Sequence, residues 1–310
     1  MIHSGRIIVT AGSRYLDIDA YACIVAMREL LELKGIRAVA FSRAKCNYSV
    51  CRSLRKDGQI VNTLPPDFPA ETSDYIVCDV SDPEYIKDSV PPGRVIEIFD
   101  HHTGFEEYWH SRIGDNAHIE FIGAAATLIY QEWVKAGLTD KMTRSTALLL
   151  IAAILDNTLD LTADIVSPAD REAYAALCKK AGIGKEWCAS YFSEVQDSVE
   201  ADLHNALFND VKMIVDHPVL PSRFAQLCVW DARRIIVRRD ELRRWFDDGK
   251  NSWMINIIDI KRRCSFFVCE DAPHQRKLEE VFKIPFENGI ARTKKAYLRK
   301  EIIKMIDSDH

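Results

Sequence analysis

Three short stretches of this 310-residue chain carry side chains that could do chemistry together. Asp17-Ile18-Asp19 stands just ahead of an apolar run at helical spacing. Asp79 follows Tyr75-Ile76-Val77-Cys78, and Asp100-His101-His102 follows Val95-Ile96-Glu97-Ile98-Phe99. Clustered carboxylates repel one another and are costly to take out of water unless positive charge sits among them. A divalent cation supplies that charge. A donor set of carboxylates and imidazoles suits Mn²⁺, Mg²⁺ or Co²⁺ better than a thiolate-seeking metal. Two such ions could activate a water and hold a phosphoryl oxygen together. Each stretch also has a plainer use. Asp17 could cap the helix that follows, Asp79 could open a turn with Ser81-Asp82-Pro83, and two adjacent histidines could form a solvated loop. Position argues against three coincidences, because each stretch follows an apolar, β-branched run.

Those runs define the elements that must hold the side chains. Arg6–Ala11, Ala38–Ser42, Tyr75–Cys78 and Arg94–Phe99 read as strands. Ala20–Leu33, Gly123–Val134 and Arg144–Leu155 read as helices. Strands alternating with helices predict an α/β fold, a mostly parallel sheet with helices on both faces. In such sheets ligands gather at the carboxyl ends of the strands. A second, smaller α/β domain follows, with strands Phe224–Trp230, Trp253–Ile260 and Ser265–Cys269 and a helix Asp231–Phe246. The domain reading is 1–190, a linker 191–205, and 206–310.

Composition is that of an ordinary globular protein, 47% hydrophobic and 28% charged. Residues 221–310 hold 20 Lys and Arg against 14 acids, and residues 1–220 hold 21 against 32. An acidic part that collects cations beside a basic part that meets a polyanion fits this asymmetry. No apolar run is long enough to span a membrane, and the first residues lack a signal-peptide pattern. The nine cysteines form no C-x-x-C pair and read as reduced thiols. The expected setting is the cytoplasm, with a small phosphorylated substrate as partner, no membrane and no nucleic acid, and a homodimer left open. The basic pairs Arg233-Arg234, Arg238-Arg239 and Arg243-Arg244 step around a helix and have no interleaved aromatics, so they read as a solvated face.

The order Asp-x-Asp, Asp, Asp-His-His resembles the DHH phosphoesterase superfamily, whose members include manganese-dependent family II inorganic pyrophosphatases, exopolyphosphatases, prune-like phosphatases and nanoRNases. Gly123-Ala124-Ala125-Ala126-Thr127 is similar to its small-residue helix start. Ile154–Leu161 with Asp170-Arg171-Glu172 is similar to its fourth motif. Leu298-Arg299-Lys300 and Asp210-Val211-Lys212 resemble the second domain (DHHA2-like) of the pyrophosphatase and exopolyphosphatase branch. No glycine-rich nanoRNase ending is present.

The resemblance implies two divalent cations, Mn²⁺ first and Mg²⁺ or Co²⁺ otherwise. Asp17 and Asp79 would bind one. Asp19, Asp79 and His101 would bind the other, with a fourth-motif ligand. His102 would contact substrate, Asp100 would orient the histidines, and Lys212, Arg299 and Lys300 would neutralise phosphate charge. The implied reaction is hydrolysis of pyrophosphate or a short polyphosphate by a metal-bridged hydroxide. The alternatives are a nucleotide phosphodiesterase or nanoRNase of the same superfamily, or a non-catalytic binder of phosphorylated ligands.

Two positions depart from the pattern. Ser13 stands where most of the superfamily has a metal-binding histidine. A gap-free alignment puts Asn157 at the fourth-motif ligand position, with Asp156 one residue earlier. Helical neighbours point about 100° apart, so only one of the two can face a metal. Asp156 is the preferred ligand and Asn157 the alternative.

Overall fold

The computed structural model describes residues 5–12, 15–91 and 93–308. It divides into two compact units, residues 1–188 and 189–310. The first contains β1 (Arg6–Thr10), β2 (Tyr15–Leu16), α1 (Ile18–Leu33), β3 (Arg37–Ala40), β4 (Lys45–Cys46), β5 (Asp74–Cys78), α2 (Pro83–Ile86) and β6 (Val95–Asp100). It continues with α3 (Glu106–Ile113), β7 (Ala117–Ile119), α4 (Ala125–Lys135), α5 (Arg144–Asn157) and α6 (Pro168–Ala181). Its main sheet runs β3-β1-β5-β6-β7, and every pairing is parallel.

Parallel strands buried on both faces read as continuous apolar runs, and β5 is buried along its whole length. Ile8, Tyr75, Val77, Ile98, Ile86, Trp109 and Ile113 form one core cluster beneath α2 and α3. In the other layer α1 packs on α4, α5, β1 and β3. That helix is apolar nearly all round, as a helix enclosed by other elements must be. From β1 the chain goes to β3 on one side and returns to β5 on the other. The crevice at their carboxyl ends is therefore a topological switch point, where open α/β sheets bind ligands.

The second unit takes in most of α7 (Lys185–Ala201), then α8 (Leu203–Phe208), β8 (Lys212–Met213), β9 (Arg223–Val229), α9 (Arg233–Ile236) and α10 (Arg239–Phe246). It ends with β10 (Trp253–Asp259), β11 (Cys264–Cys269), α11 (Ala272–Phe282), β12 (Ile290–Arg292) and α12 (Arg299–Ser308). The sheet order is β12-β11-β10-β9-β8. β9 and β10 are parallel and the remaining pairings antiparallel.

Three local readings need restating. Residues 191–205, read as a linker, are helical within α7 and α8. Phe192, Val195 and Val199 are buried, Phe192 stacks on Trp230, and Gln196 exchanges hydrogen bonds with the Asp231 backbone. The single helix expected over Asp231–Phe246 is two helices, broken at Val237-Arg238. Ile235-Ile236-Val237 is a β-branched run, which weakens a helix. The edge strand β7 had no period to announce it, being three half-buried residues.

No helix among the described residues is long and apolar enough to cross a membrane. No disulfide joins the nine cysteines.

Candidate metal centre

Each of the three acidic stretches arrives at the carboxyl edge of the first sheet. Asp17 has an extended backbone and caps α1, its Oδ1 accepting from the Ala20 N–H at 2.9 Å. The plainer use weighed for Asp17 is thus real, and its carboxyl also meets that of Asp79. Asp79 ends β5 with a left-handed backbone, φ 57°, uncommon outside glycine and asparagine. Its N–H is held by the Phe99 carbonyl at 2.7 Å. Asp100 closes β6 and is fully buried. Its Oδ1 accepts from the His101 N–H (2.8 Å), the His102 N–H (3.2 Å) and His102 Nδ1 (2.8 Å).

His101 is buried, and its Nδ1 lies 3.1 Å from the Ile122 carbonyl. A carbonyl can only accept, so Nδ1 carries the proton and Nε2 presents a lone pair. That lone pair faces Asp79 Oδ1 at 3.5 Å and Asp19 Oδ2 at 3.8 Å. Asp79 Oδ1 is buried with no hydrogen-bond partner among the described residues. One donor atom each from Asp79, His101 and His102 lie within 4.8 Å of one another.

The electrostatics match a site built for positive charge. Burial, and then the Asp17 charge, push the Asp19 carboxyl up to about 7. Burial, Asp19, Asp17 and Asp100 push Asp79 well above the carboxylate range. Burial also pushes Asp100 up, but the hydrogen bond and charge of His102 outweigh it and hold Asp100 below its ordinary value. Burial pushes the Cys23 and Cys78 thiols well up. An orphaned buried carboxylate oxygen beside an imidazole lone pair fits a hard divalent cation.

Nothing in the local spacing foretold how Asp19 is held. It is fully buried, and α4 aims its first turn at it. Ala125 N–H donates to Oδ2 at 2.9 Å and Ala126 N–H to Oδ1 at 2.8 Å, a helix N-terminus receiving an anion. Asp170 fixes that turn from behind. It accepts from Gly123 N, Thr127 Oγ1 and both Ser167 N and Oγ. A Cβ on Gly123 would lie 2.6 Å from both Asp170 Oδ2 and Thr158 Cγ2, so only glycine fits. Ser167-Pro168-Ala169-Asp170 has the form of a capping box with proline at the first helical position. That local signal for Asp170 stands beside its place in the Asp170-Arg171-Glu172 stretch.

The tight group around Asp79 is Asp79, His101 and His102 among the described residues, and Asp17, Asp19 and Asp156 lie outside it. Asn157 turns its Nδ2 back to the Ala153 carbonyl at 3.4 Å. Beyond them Leu159, Asp160 and Leu161 all have positive φ, three left-handed non-glycine residues in a row. Thr158 Oγ1 accepts from Leu161 N–H, and Thr162 Oγ1 donates to the Leu159 carbonyl. Ser13 lies outside the described residues.

In the second unit a strap crosses the sheet. After β12, Thr293 bonds Ser265 on β11. Tyr297 N–H donates to Ser265 Oγ, and its carbonyl accepts from Asn256 on β10 at 2.7 Å. Arg299 N–H donates to Gln226 on β9 at 2.6 Å. The Arg299 guanidinium, expected on a phosphate, is committed to the Asp210 carbonyl and carboxylate and to the Phe224 carbonyl. It fixes the approach to β8 and so to Lys212. Lys212 and Lys300 are exposed. Of the arginine pairs, Arg233, Arg234, Arg238 and Arg239 all meet acids, which reduces the basic face to a paired surface.

The whole chain can now be compared with known proteins. It is 23% identical over 304 residues to a Deinococcus radiodurans protein described as a manganese-dependent inorganic pyrophosphatase, covering 93% of each. Its fold matches a Methanococcus jannaschii structure described as a family II inorganic pyrophosphatase, with TM-score 0.67 and 17% identity over 97% of this chain and 98% of that one. Both matches run nearly the full length of this chain. An exopolyphosphatase-related protein of Bacteroides fragilis shares the fold at TM-score 0.52 and 13% identity, over 98% and 91% of the two chains. No family model matches the chain.

Proposed function

We propose that this chain hydrolyses a phosphoanhydride, pyrophosphate or a short polyphosphate, with divalent cations held by Asp17, Asp19, Asp79 and His101. The observation that carries the reading is the orphaned Asp79 oxygen facing the His101 lone pair at the switch point of the sheet. The names of the Deinococcus and Methanococcus relatives support the reaction class. When bound, the cations would supply Lewis-acid activation of water and neutralise phosphoryl oxygens.

The remaining work falls to side chains of the protein. Asp100 accepts the His102 Nδ1 proton, which turns Nε2 outward as the atom that meets a phosphate oxygen. The ring of His102 is 57% exposed, so substrate can reach it. Ile122 fixes the tautomer of His101, and the first turn of α4 fixes Asp19. Lys212 and Lys300 serve as phosphate-binding cations, acting as mobile point charges. Arg299 holds the strap on which Lys300 stands.

The deciding experiment is phosphate release from pyrophosphate, tripolyphosphate and long polyphosphate with Mn²⁺, Mg²⁺ or Co²⁺, using Asp79→Asn as blank. Turnover that vanishes in the variant is the expected result. Absence of turnover alongside retained phosphate binding would make the chain a non-catalytic binder. The observation favouring that second reading is Asn157, which turns its amide onto its own helix. Turnover of a dinucleotide alone would move the chain to the nuclease branch.

A further inference from the structure

Between α2 and α3, in the layer away from α1, lies a cavity of about 490 Å³. Pockets that hold small molecules run from ~300 to ~1,000 Å³. Ile86 and Ile113 give it an apolar wall and Tyr108 and Trp109 an aromatic one. Lys87 and Arg112 are the charged residues that line it, and no acid does. The Arg112 guanidinium carbon lies over the Tyr108 ring, 3.5 Å from its centroid. The guanidinium is pinned there by a 2.8 Å hydrogen bond to the Tyr108 carbonyl. A guanidinium held in this way offers a planar stacking face and free N–H edges. Glu84, the ion-pair partner of Lys87, stands outside the lining, in a surface pair whose side chains are 58% and 75% exposed. An anion can displace such a pair, since exposed ion pairs are weak.

The floor of the cavity is wired to the metal centre. Trp109 Nε1 donates to the Ser81 carbonyl at 2.6 Å, and Ser81 Oγ donates to the His102 carbonyl at 3.2 Å. Ser81 is two residues past Asp79. Any movement of Trp109 is therefore felt on both loops that carry the gathered residues.

We propose that this cavity binds a small aromatic anion, a planar ring bearing a phosphate or carboxylate, and that its occupancy adjusts the Asp79 and His102 loops through Trp109 and Ser81. The ring lies against Tyr108 and the apolar wall, and the anionic group meets Lys87 and Arg112. Binding at the cavity stands independently of the hydrolase reading. Its effect on turnover rests on that reading.

The test is calorimetric titration of the full chain in EDTA, so that bound metal offers phosphate no other site. The probes are AMP, indole-3-acetate, adenosine and inorganic phosphate. The proposal expects saturable one-to-one binding of AMP, of indole-3-acetate or of both, which tells a phosphate source from a carboxylate source. It also expects at least tenfold weaker binding by adenosine and by phosphate, and at least tenfold loss in Lys87→Gln/Arg112→Gln. Trp109→Phe keeps the ring and removes the N–H. It is expected to bind the probe while the change in phosphate release seen in the parent disappears. Absence of saturable binding by both anionic probes would overturn the proposal, as would binding indifferent to the double substitution. Either failure would leave phosphate release from pyrophosphate untouched as the separate measure of the hydrolase reading.

Discussion

Asp79 combines a left-handed backbone, a buried carboxyl and an oxygen without a hydrogen bond. A residue so placed costs stability unless a ligand repays it, and such positions cluster at functional sites. Asp79→Asn is accordingly expected to melt no lower than the parent in EDTA and to lose the rise in Tm that Mn²⁺ gives the parent. Parallel thermal melts check this, and an unchanged Mn²⁺ response would remove Asp79 from the ligand set. Asp100 acts one step back, through the three N–H groups that it gathers from the two histidines. Asp100→Asn is expected to keep the fold and to lose about 10–100-fold in metal affinity or activity, the usual cost of losing a group that orients ligands. Calorimetric Mn²⁺ titration reads the affinity. Asp231 provides a pH test away from the metal. Hydrogen bonds from Arg233 and then Arg262 hold its carboxyl well below the usual range. A depressed folded value contributes stability that is present above the unfolded value and lost as pH falls through the folded one. Asp231→Asn is expected to lower the Tm of the second unit at neutral pH and to lose that difference in acid, below the ordinary carboxylate range.

The element that decides the geometry of the centre is α4. Its first turn closes on Asp19, and Gly123 sits where a side chain would strike Asp170 and Thr158. Both neighbours are fully buried and cannot move aside cheaply, so Gly123→Ala is an overpacking change costing about 1–3 kcal/mol. The expected outcome is a lower Tm together with weaker Mn²⁺ binding, because the displaced turn takes two N–H donors away from Asp19. A lower Tm with unaltered Mn²⁺ affinity would separate α4 from the centre. The strap from Thr293 to Arg299 does similar work in the second unit. It holds Lys300 at the first turn of α12 through backbone bonds to three strands, so the lysine sits on a fixed support although its own side chain is free to move.

At the scale of the molecule, the two units divide the charge. The first unit is acidic, 20 Lys and Arg against 26 acids, and the second is nearly balanced, 21 against 20, with its cations concentrated after residue 220. A cation that binds only the folded state stabilises it by mass action, about 2.7 kcal/mol at a concentration one hundred times its Kd. Mn²⁺ is therefore expected to raise Tm in a saturable way that EDTA reverses. A flat response in the parent would count against any metal centre.

Residue types and local periods determined much of this. The acid and histidine stretches, the apolar strands before them and the helix rich in small residues are local patterns, and a local pattern survives without knowledge of the fold. The alternation of strands and helices was enough for a parallel sheet with its ligand edge at the strand ends. What tertiary structure alone decided lies in contacts between distant positions. Ala125 reaches Asp19 across 106 positions, Gly123 reaches Asp170 across 47, and Arg299 reaches Asp210 across 89. No period or spacing encodes such pairs. Each turns on whether packing leaves room for one polar atom to meet another. That is why the bonds of Asp170 to the first turn of α4 and of Arg299 to Asp210 were not legible in the sequence.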